Sequence, residues 1–193
     1  MNLNSPSFLY SLSKDYFEKS YVICKDIFKE GYSQNIDLFW KISFPAVTMS
    51  FSLELAFKGI LLFENKNIPK KTFGIDDLLS LFSKISPEIQ NKIINYQETR
   101  EIKFQLPNII LSKRENGNRQ APERFYSNTL ERTHSILKSH KDSFVNFRYL
   151  HEFGSKNEII DYDFAFNYFS NITIASITIL AELLGITFEF NAQ

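Results

Sequence analysis

The sequence predicts an all-α fold, an up-and-down bundle of about five to six helices. Three observations indicate this class. The length of 193 residues fits a single domain, residues 1–193, with one core. Large apolar side chains outnumber helix breakers, with 20 Phe and 9 Tyr beside 6 Gly and 6 Pro, and this balance favours long packed helices over a turn-rich β fold. In several segments apolar residues recur every three or four positions, which is the period of an α-helix.

The first helix is predicted to run from Pro6 to Gly31. Ser5 suits its N-cap, Pro6 its first turn and Gly31 its end. Apolar residues at helical spacing mark the face that this helix is expected to bury: Phe8, Leu12, Tyr16, Phe17, Tyr21, Cys24 and Phe28.

A second, central helix is predicted over Pro45–Phe63, with a short turn at 37–41 before it. Apolar residues surround this helix on most sides, which is typical of a buried helix. Two narrow stripes interrupt the apolar surface. One consists of small residues that allow another helix to approach closely, namely Thr48, Ser52, Ala56 and Gly59. The other is polar and comprises Ser50, Glu54 and Lys58, in which the two charged residues stand four positions apart and can pair.

The remaining segments add further helices and one long loop. Helices are predicted at about 75–85, 87–100, 121–140, 142–153 and within 157–184. Residues 101–120 lack periodicity and predict a polar loop. The opening of the last helix, 161–169, alternates as a strand does, so a strand is a second interpretation there. The tail, 186–193, is expected to be a short strand or an irregular cover.

Composition argues against several kinds of site. Lys+Arg and Asp+Glu both number 22, so the zero formal net charge gives no global field for nucleic acid, and RNA binding needs a local patch. The single cysteine, Cys24, suits a reducing compartment, and a cytoplasmic location is expected. The three histidines and one cysteine match no zinc pattern, and no glycine-rich phosphate loop or nucleophile elbow is present, so neither a metal nor a cofactor is expected. No secretory signal or membrane span is expected, since the apolar stretch 172–188 carries Glu182 and several hydroxyls.

The segment Asn146–Glu152 carries the first candidate chemistry. On a helix, Arg148 and His151 stand three positions apart and share a face. A guanidinium can hold a phosphate and stabilise the charge that develops on it, and an imidazole can transfer a proton near neutral pH. Together they can cleave RNA without a metal, with the ribose 2′-hydroxyl as the internal nucleophile. The alternative is an ion pair of Arg148 with Glu152 beside an ordinary interface or surface histidine.

A second basic group comprises Arg124, Arg132, His134 and His140. His134 is expected to be a packed histidine, and His140 to lie at a helix end, where a cation is favoured. Arg132 is a candidate for binding an anionic ligand. For the predicted Glu54–Lys58 pair a structural role is the default, and a ligand phosphate reaching Lys58 is the alternative.

Three stretches resemble the HEPN superfamily, the helical-bundle domain of many prokaryotic toxins and antiviral defence proteins. The segment Leu53–Leu62, led into by Pro45-Ala46-Val47, is similar to the family's Glu-Leu-x-x-Lys-x-Leu-Leu helix. Lys70–Phe82 resembles the segment that follows that helix. Phe144–Glu152 contributes an Arg-Tyr pair followed by Glu. The three stretches are distributed over about residues 40–153, the range to which the resemblance extends.

The resemblance implies a homodimer with metal-independent endoribonuclease activity at the cleft between its subunits. The catalytic residues are then expected to be Arg148 and His151. The residues expected to bind RNA or a nucleotide are Lys58, Glu54, Arg132, Tyr149 and Glu152. Active members have four to six residues between Arg and His, whereas Arg148 and His151 are separated by two. The alternative is therefore a non-catalytic HEPN-like module that binds a nucleotide or a partner protein encoded by a neighbouring gene.

Overall fold

The structure, a computed structural model, describes residues 5–29, 36–68, 77–99, 109–111, 129–140, 162–164, 166–188 and 190. Those residues contain six helices and two short strands. In chain order they are α1 (Pro6–Lys29), α2 (Ile36–Phe63), α3 (Leu78–Lys84), α4 (Pro87–Thr99), β1 (Ile109–Leu111), α5 (Thr129–Ser139), β2 (Tyr162–Phe164) and α6 (Phe166–Leu183). The described part is a helical bundle, which confirms the predicted all-α class.

Helix α1 begins where its sequence predicts and runs to Lys29. The amide of Phe8 donates to Ser5 Oγ at 3.2 Å, which confirms Ser5 as the cap. The buried face is rotated from the predicted one, since Phe8, Leu12 and Tyr16 are only half-buried. The deeply buried positions are Leu9, Tyr10, Ser13, Phe17, Ser20, Cys24 and Ile27. Two of them are serines, which a search for apolar periodicity does not find.

These serines join α1 to α2. Ser13 Oγ donates to the carbonyl of Ser52 at 2.7 Å, and Ser52 Oγ donates to the carbonyl of Ser13 at 2.6 Å. Later in α1 and earlier in α2, Ser20 and Thr48 share a hydrogen bond between their hydroxyls. The two helices therefore run antiparallel, and their close approach leaves the buried hydroxyls with partners.

Helix α2 begins at Ile36, so the prediction of a start at Pro45 with a separate turn at 37–41 was wrong. A proline inside a helix lacks an amide donor, and this usually ends or kinks the helix. Here Pro45 and Ala46 are buried, and packing of this segment outweighs the local preference. Thr48 Oγ1 lies beside the proline and contacts the carbonyls of Phe44 and Pro45 at 2.9 and 3.3 Å.

Helix α6 lies parallel to α2. Ser170 Oγ contacts Met49 Sδ at 3.2 Å, and further along both helices Gly59 faces Leu180. A Cβ atom added to Gly59 would lie 2.6 Å from Leu180 Cδ2 and 3.5 Å from Leu9 Cβ. The predicted role of the small-residue stripe, close approach of another helix, is thereby confirmed. Both neighbouring helices belong to this chain, so the stripe is not open to a partner protein.

The shorter helices complete the bundle around α2 and α6. Asp77 Oδ1 accepts the amide of Leu79 at 3.0 Å and caps α3. Phe82 of α3 packs on Phe57 of α2 with ring centroids 5.5 Å apart. Helix α4 begins at Pro87, in agreement with the prediction. Helix α5 packs against α3, α4 and α6.

The two strands form one antiparallel pair, in which Ile109 is opposite Phe164 and Leu111 is opposite Tyr162. Residues 109–111 were predicted to lie in a loop, so a strand there is a correction. The strand-like alternation before α6 is real over Tyr162–Phe164, and the helix begins only at Phe166. Pairing between segments so far apart in the chain has no local signal, which is why the sequence reveals one strand of the pair only.

The C-terminal segment after α6 covers α1, as the second interpretation of the tail predicts. Helix α6 ends at a left-handed Gly185 with φ +69°. Beyond it, the Phe188 ring lies edge-on to Tyr10 with centroids 6.3 Å apart, and Phe190 lies edge-on to Phe17 at 5.2 Å. Edge-to-face aromatic pairs of this kind stabilise the described part of this cover on α1.

One stretch of the described chain, Ser43–Phe63, is long and apolar enough to cross a membrane by length and composition. In the bundle 72% of that stretch is buried. Its apolar side chains include Met49, Leu53, Phe57 and Ile60, each fully buried in the core cluster. The place of α2 at the centre of the core therefore accounts for its composition.

Candidate functional site

Four of the predicted site residues, Arg148, Tyr149, His151 and Glu152, lie outside the described residues. The predicted helix at 142–153 that carries them also lies there. The roles of these four residues therefore remain predictions. Three others, Glu54, Lys58 and Arg132, lie on α2 and α5 and can be placed.

Glu54 and Lys58 form the predicted ion pair on α2. Lys58 Nζ lies 2.6 Å from Glu54 Oε1, with the two residues four positions apart on one helix. The Glu54 side chain is 5% exposed and that of Lys58 is 23% exposed. Ser50, one turn before Glu54, is buried and donates its hydroxyl to the carbonyl of Ala46 at 2.8 Å. The polar stripe of α2 thus consists of groups with partners inside the chain.

This geometry limits what the pair can do. A carboxylate that is nearly removed from water needs a cation close by, and Lys58 supplies it. Glu54 is too deeply placed to exchange protons with a substrate in solvent. Lys58 keeps part of its surface open, so its ammonium group can meet an anion from solvent while it holds the carboxylate. A structural ion pair, with Lys58 at the edge of solvent, fits both side chains.

Arg132 lies over an aromatic ring rather than beside an acid. Its Cζ atom is 5.1 Å from the centroid of the Tyr168 ring, which lies in the first turns of α6. Tyr168 is 36% exposed and Arg132 is half-buried, so both are accessible to a ligand. Among the described residues, no carboxylate lies within 4.0 Å of the Arg132 guanidinium and no hydrogen-bond acceptor contacts it.

The described members of the second basic group do not form one patch. His134 stands two positions after Arg132, on the opposite flank of α5, and its ring lies edge-on to Phe82 of α3 at 5.8 Å. It contacts this aromatic ring, as a packed histidine would, yet the residue is exposed. His140 follows the last turn of α5, as predicted, and is buried. Arg124 lies outside the described residues. Arg132 is therefore the described arginine of this group, and it contacts Tyr168 on a second helix, α6.

The surroundings of His140 are those of a core residue. Its Nδ1 atom lies 2.8 Å from the carbonyl of Ile136, and its ring centroid is 5.2 Å from that of Phe169. The side chain joins the end of α5 to α6 inside the bundle. A side chain so enclosed is not positioned to transfer a proton to a solvent-borne substrate.

No group of three metal-binding side chains occurs within the part of the chain that the structure describes. Cys24 is buried in the α1 face, and burial raises the pKa of its thiol because the thiolate would lose its hydration. The thiol is therefore protonated at neutral pH and a poor nucleophile or metal ligand.

Tyr168 was not among the residues that the sequence singled out. Its segment alternates between polar and apolar residues, which obscures the start of α6. Once the helix is known to begin at Phe166, Tyr168 falls on a different side from the buried Phe166 and Phe169, and an exposed aromatic residue at that position is the signal. Its contact with Arg132 comes from tertiary packing of α5 on α6, which no spacing in the sequence predicts.

The described elements define an all-α helical bundle with one nearly buried ion pair on its central helix and one arginine–tyrosine pair at its surface. Comparison with protein families, characterised proteins and solved structures gives no match.

Proposed function

We propose that this protein is a HEPN-like homodimer that handles RNA in toxin-type or antiviral defence, and that it cleaves RNA without a metal. The observation that carries the proposal is the Glu54–Lys58 pair on the central helix of an all-α bundle. The resemblance to the family rests in part on a helix with Glu and Lys at these two positions, and the two side chains pair there, with the Glu54 carboxylate nearly buried.

The chemistry is assigned to Arg148 and His151. His151 accepts the proton of the ribose 2′-hydroxyl, and the 2′-oxygen attacks the adjacent phosphorus. The bond from phosphorus to the 5′-oxygen breaks, and that oxygen takes a proton from the imidazolium. Arg148 stabilises the negative charge that grows on the phosphoryl oxygens. The products are a 2′,3′-cyclic phosphate and a 5′-hydroxyl.

The test is cleavage of a labelled RNA in EDTA by the purified protein and by Arg148→Ala and His151→Ala. The wild type is expected to yield cyclic phosphate ends, and each variant to lose activity by roughly 100-fold or more. His134→Ala is the matched control, because it removes an exposed histidine whose one described contact is Phe82. Absence of cleavage by the wild type, or equal cleavage by all four proteins, would remove the catalytic assignment.

The dimer is tested separately. Sizing at several protein concentrations is expected to give twice the mass of the 22.6 kDa chain. A cleft shared by two subunits places two copies of Arg148 near each other, so a strict monomer at every concentration contradicts this part of the proposal.

A second candidate is a cytoplasmic, non-catalytic module that binds a nucleotide or a partner protein from a neighbouring gene. The Arg132–Tyr168 pair suits this candidate as well as the nuclease, because an accessible guanidinium over an exposed ring can bind a nucleotide and supplies no proton-transfer group. The spacing of Arg148 and His151 is consistent with this candidate. Co-purification with the neighbouring gene product, together with no RNA cleavage, would favour it over the nuclease.

A further inference from the structure

We propose that Arg132 and Tyr168 form a stacking site for one nucleotide, with the base on the ring and guanidinium and its phosphate or polar edge on the guanidinium donors. The inference deepens the proposed function. It rests on that function in one respect, namely that RNA is the source of the nucleotide. It assigns the place where a single strand contacts the described surface.

The packing of α5 on α6 brings Arg132 and Tyr168 together. The Arg132 Cζ atom lies 5.1 Å above the Tyr168 ring, and the two side chains come from different helices, α5 and α6. Packing of these helices fixes the pair before any ligand arrives. A planar guanidinium and an aromatic ring in this relation offer a flat surface, and flat surfaces of this composition are those on which nucleobases stack.

The Arg132 guanidinium keeps its hydrogen-bond donors available for a ligand. Lysine–glutamate ion pairs in the described residues include those of Lys14, Lys58, Lys66 and Lys92. Arg132 is the one arginine in that part of the chain, and there its contact is the ring of Tyr168. Its five N–H donors therefore face solvent or the ring. A phosphate or a base edge can accept two of them at once, which a lysine does not offer.

The Tyr168 side chain is accessible from solvent. Tyr168 is 36% exposed even with the guanidinium over it. Its neighbours Phe166 and Phe169 are both fully buried, so Tyr168 is the aromatic side chain of this turn that reaches the surface. The exposed part of the side chain can be reached by a base from solvent.

The zero net charge of the chain bears on the type of ligand. With 22 basic and 22 acidic side chains, long-range attraction of a polyanion is weak. Short-range stacking and paired hydrogen bonds must then supply most of the affinity, and these are the interactions of unstacked nucleotides. A single-stranded RNA is favoured over a duplex because its bases are free to stack on the pair.

The experiment measures binding of a fluorescent single-stranded 2′-O-methyl RNA of roughly 12 nucleotides, a length within the range of single-strand sites. This probe lacks the 2′ nucleophile, so it stays intact and separates binding from cleavage. Arg132→Gln and Tyr168→Ala are each expected to weaken binding roughly 5- to 100-fold, the range for loss of one base-stacking residue. Tyr168→Phe keeps the ring and is expected to bind within about twofold of the wild type.

Salt dependence supplies a readout that a purely structural role does not move. Arg132→Gln is expected to reduce the slope of log affinity against log salt concentration by about 0.7, the value for one phosphate contact on a single strand. Lys138→Ala is the charge-matched control, since Lys138 is exposed on α5 and shares the flank of His134, away from Tyr168. Its affinity is expected to change by less than about twofold.

Unchanged binding in both Arg132→Gln and Tyr168→Ala overturns the inference and leaves the cleavage test of the proposed function intact. Binding of adenosine or uridine monophosphate, lost in both variants, with no binding of the oligonucleotide, keeps the site and overturns RNA as its source. No binding of either probe by the wild type overturns the site. Melting temperatures show whether each variant folds, and if Tyr168→Ala does not, Tyr168→Leu and Arg132→Gln decide the outcome.

Discussion

Two cationic side chains of this protein, Lys58 and Arg132, lie in different environments. On the central helix α2, Lys58 lies 2.6 Å from the nearly buried carboxylate of Glu54. On α5, Arg132 lies over the partly exposed ring of Tyr168 and forms no ion pair with a described residue. The difference indicates how to separate structural from available charge. A cation that holds a buried carboxylate is required for stability, whereas one that rests on a surface ring adds little stability and remains open to a ligand.

The largest expected effect is at Lys58. Replacing it with Met leaves the Glu54 carboxylate without its ammonium group in a site where its side chain is 5% exposed. Breaking a fully buried pair costs about 3–5 kcal/mol, and partial exposure of Lys58 lowers the expected loss of unfolding free energy to about 2 kcal/mol. Urea unfolding followed by circular dichroism measures it.

The control for Lys58→Met is Arg132→Met, which removes the other cation and is expected to cost less than about 1 kcal/mol. The double change Glu54→Leu with Lys58→Met removes both charges, and it is expected to regain much of the lost stability because no buried charge remains. Equal losses in the two single variants would contradict the distinction between the cations.

A second prediction concerns how closely α6 packs on the small-residue stripe of α2. Gly59→Ala adds a Cβ atom 2.6 Å from Leu180 Cδ2, so Leu180, which is fully buried, must move. Overpacking costs about 1–3 kcal/mol, and the better helix propensity of Ala offsets up to about 1 kcal/mol. A net loss of about 1 kcal/mol is expected in thermal or urea unfolding.

Its control is the same change made where Leu180 has been shortened. In a Leu180→Val background, Gly59→Ala is expected to cost less than in the wild type, because valine lacks the Cδ2 methyl group that the new Cβ atom would meet. A stabilising Gly59→Ala in the wild type would show that α6 does not approach α2 this closely.

The sequence predicts the ion pair on α2, whereas it does not predict the arginine–tyrosine pair between α5 and α6. The Glu54–Lys58 pair follows from a spacing of four on one helix, and Ser5-Pro6 locates the start of α1. These are local rules, in which one segment contains the whole signal. The Arg132–Tyr168 pair needs the packing of α5 on α6 and the boundary of α6, and both are properties of the assembled core.

The failures have the same cause. Pro45 predicts a helix start by its local chemistry, yet burial of the segment carries α2 through it from Ile36. Residues 109–111 lack any pattern, and they become a strand because they meet Tyr162–Phe164. In both cases contacts with distant segments determine the structure, and no local pattern reveals them.

A third, smaller effect tests whether Arg132 and Tyr168 interact in the free protein. Arg132→Gln, Tyr168→Leu and the double variant form a cycle whose coupling energy is expected to be about 0.5–1 kcal/mol, as for a partly exposed cation–π pair. Unfolding by urea of the three variants and the wild type gives the coupling. A value near zero would mean that the guanidinium does not rest on the ring before a ligand binds.

The smallest expected effect comes from a second carboxylate, at the end of α2. Glu64 accepts the amide of Ser86 at 3.1 Å through Oε2 and lies 3.0 Å from Lys66 Nζ, so it ties the end of α2 to the start of α4. Burial opposes its ionisation, but the hydrogen bonds from Ser86 and the contact with Lys66 outweigh burial and lower the pKa of Glu64 below its ordinary value of 4.5.

Because the pKa of Glu64 is lower in the folded than in the unfolded chain, its contribution to stability is complete above pH 4.5 and is lost as the pH falls through the lower folded value. The contribution is expected to be a few tenths of a kcal/mol, about that of an ion pair near the surface. Urea unfolding of the wild type and Glu64→Gln at several pH values from neutral to acidic measures it as the difference between the two curves. The curves are expected to converge in acid, because a protonated Glu64 and the neutral amide of the variant both lack the charge that Ser86 and Lys66 favour. A constant gap over the whole range would assign the effect to packing alone.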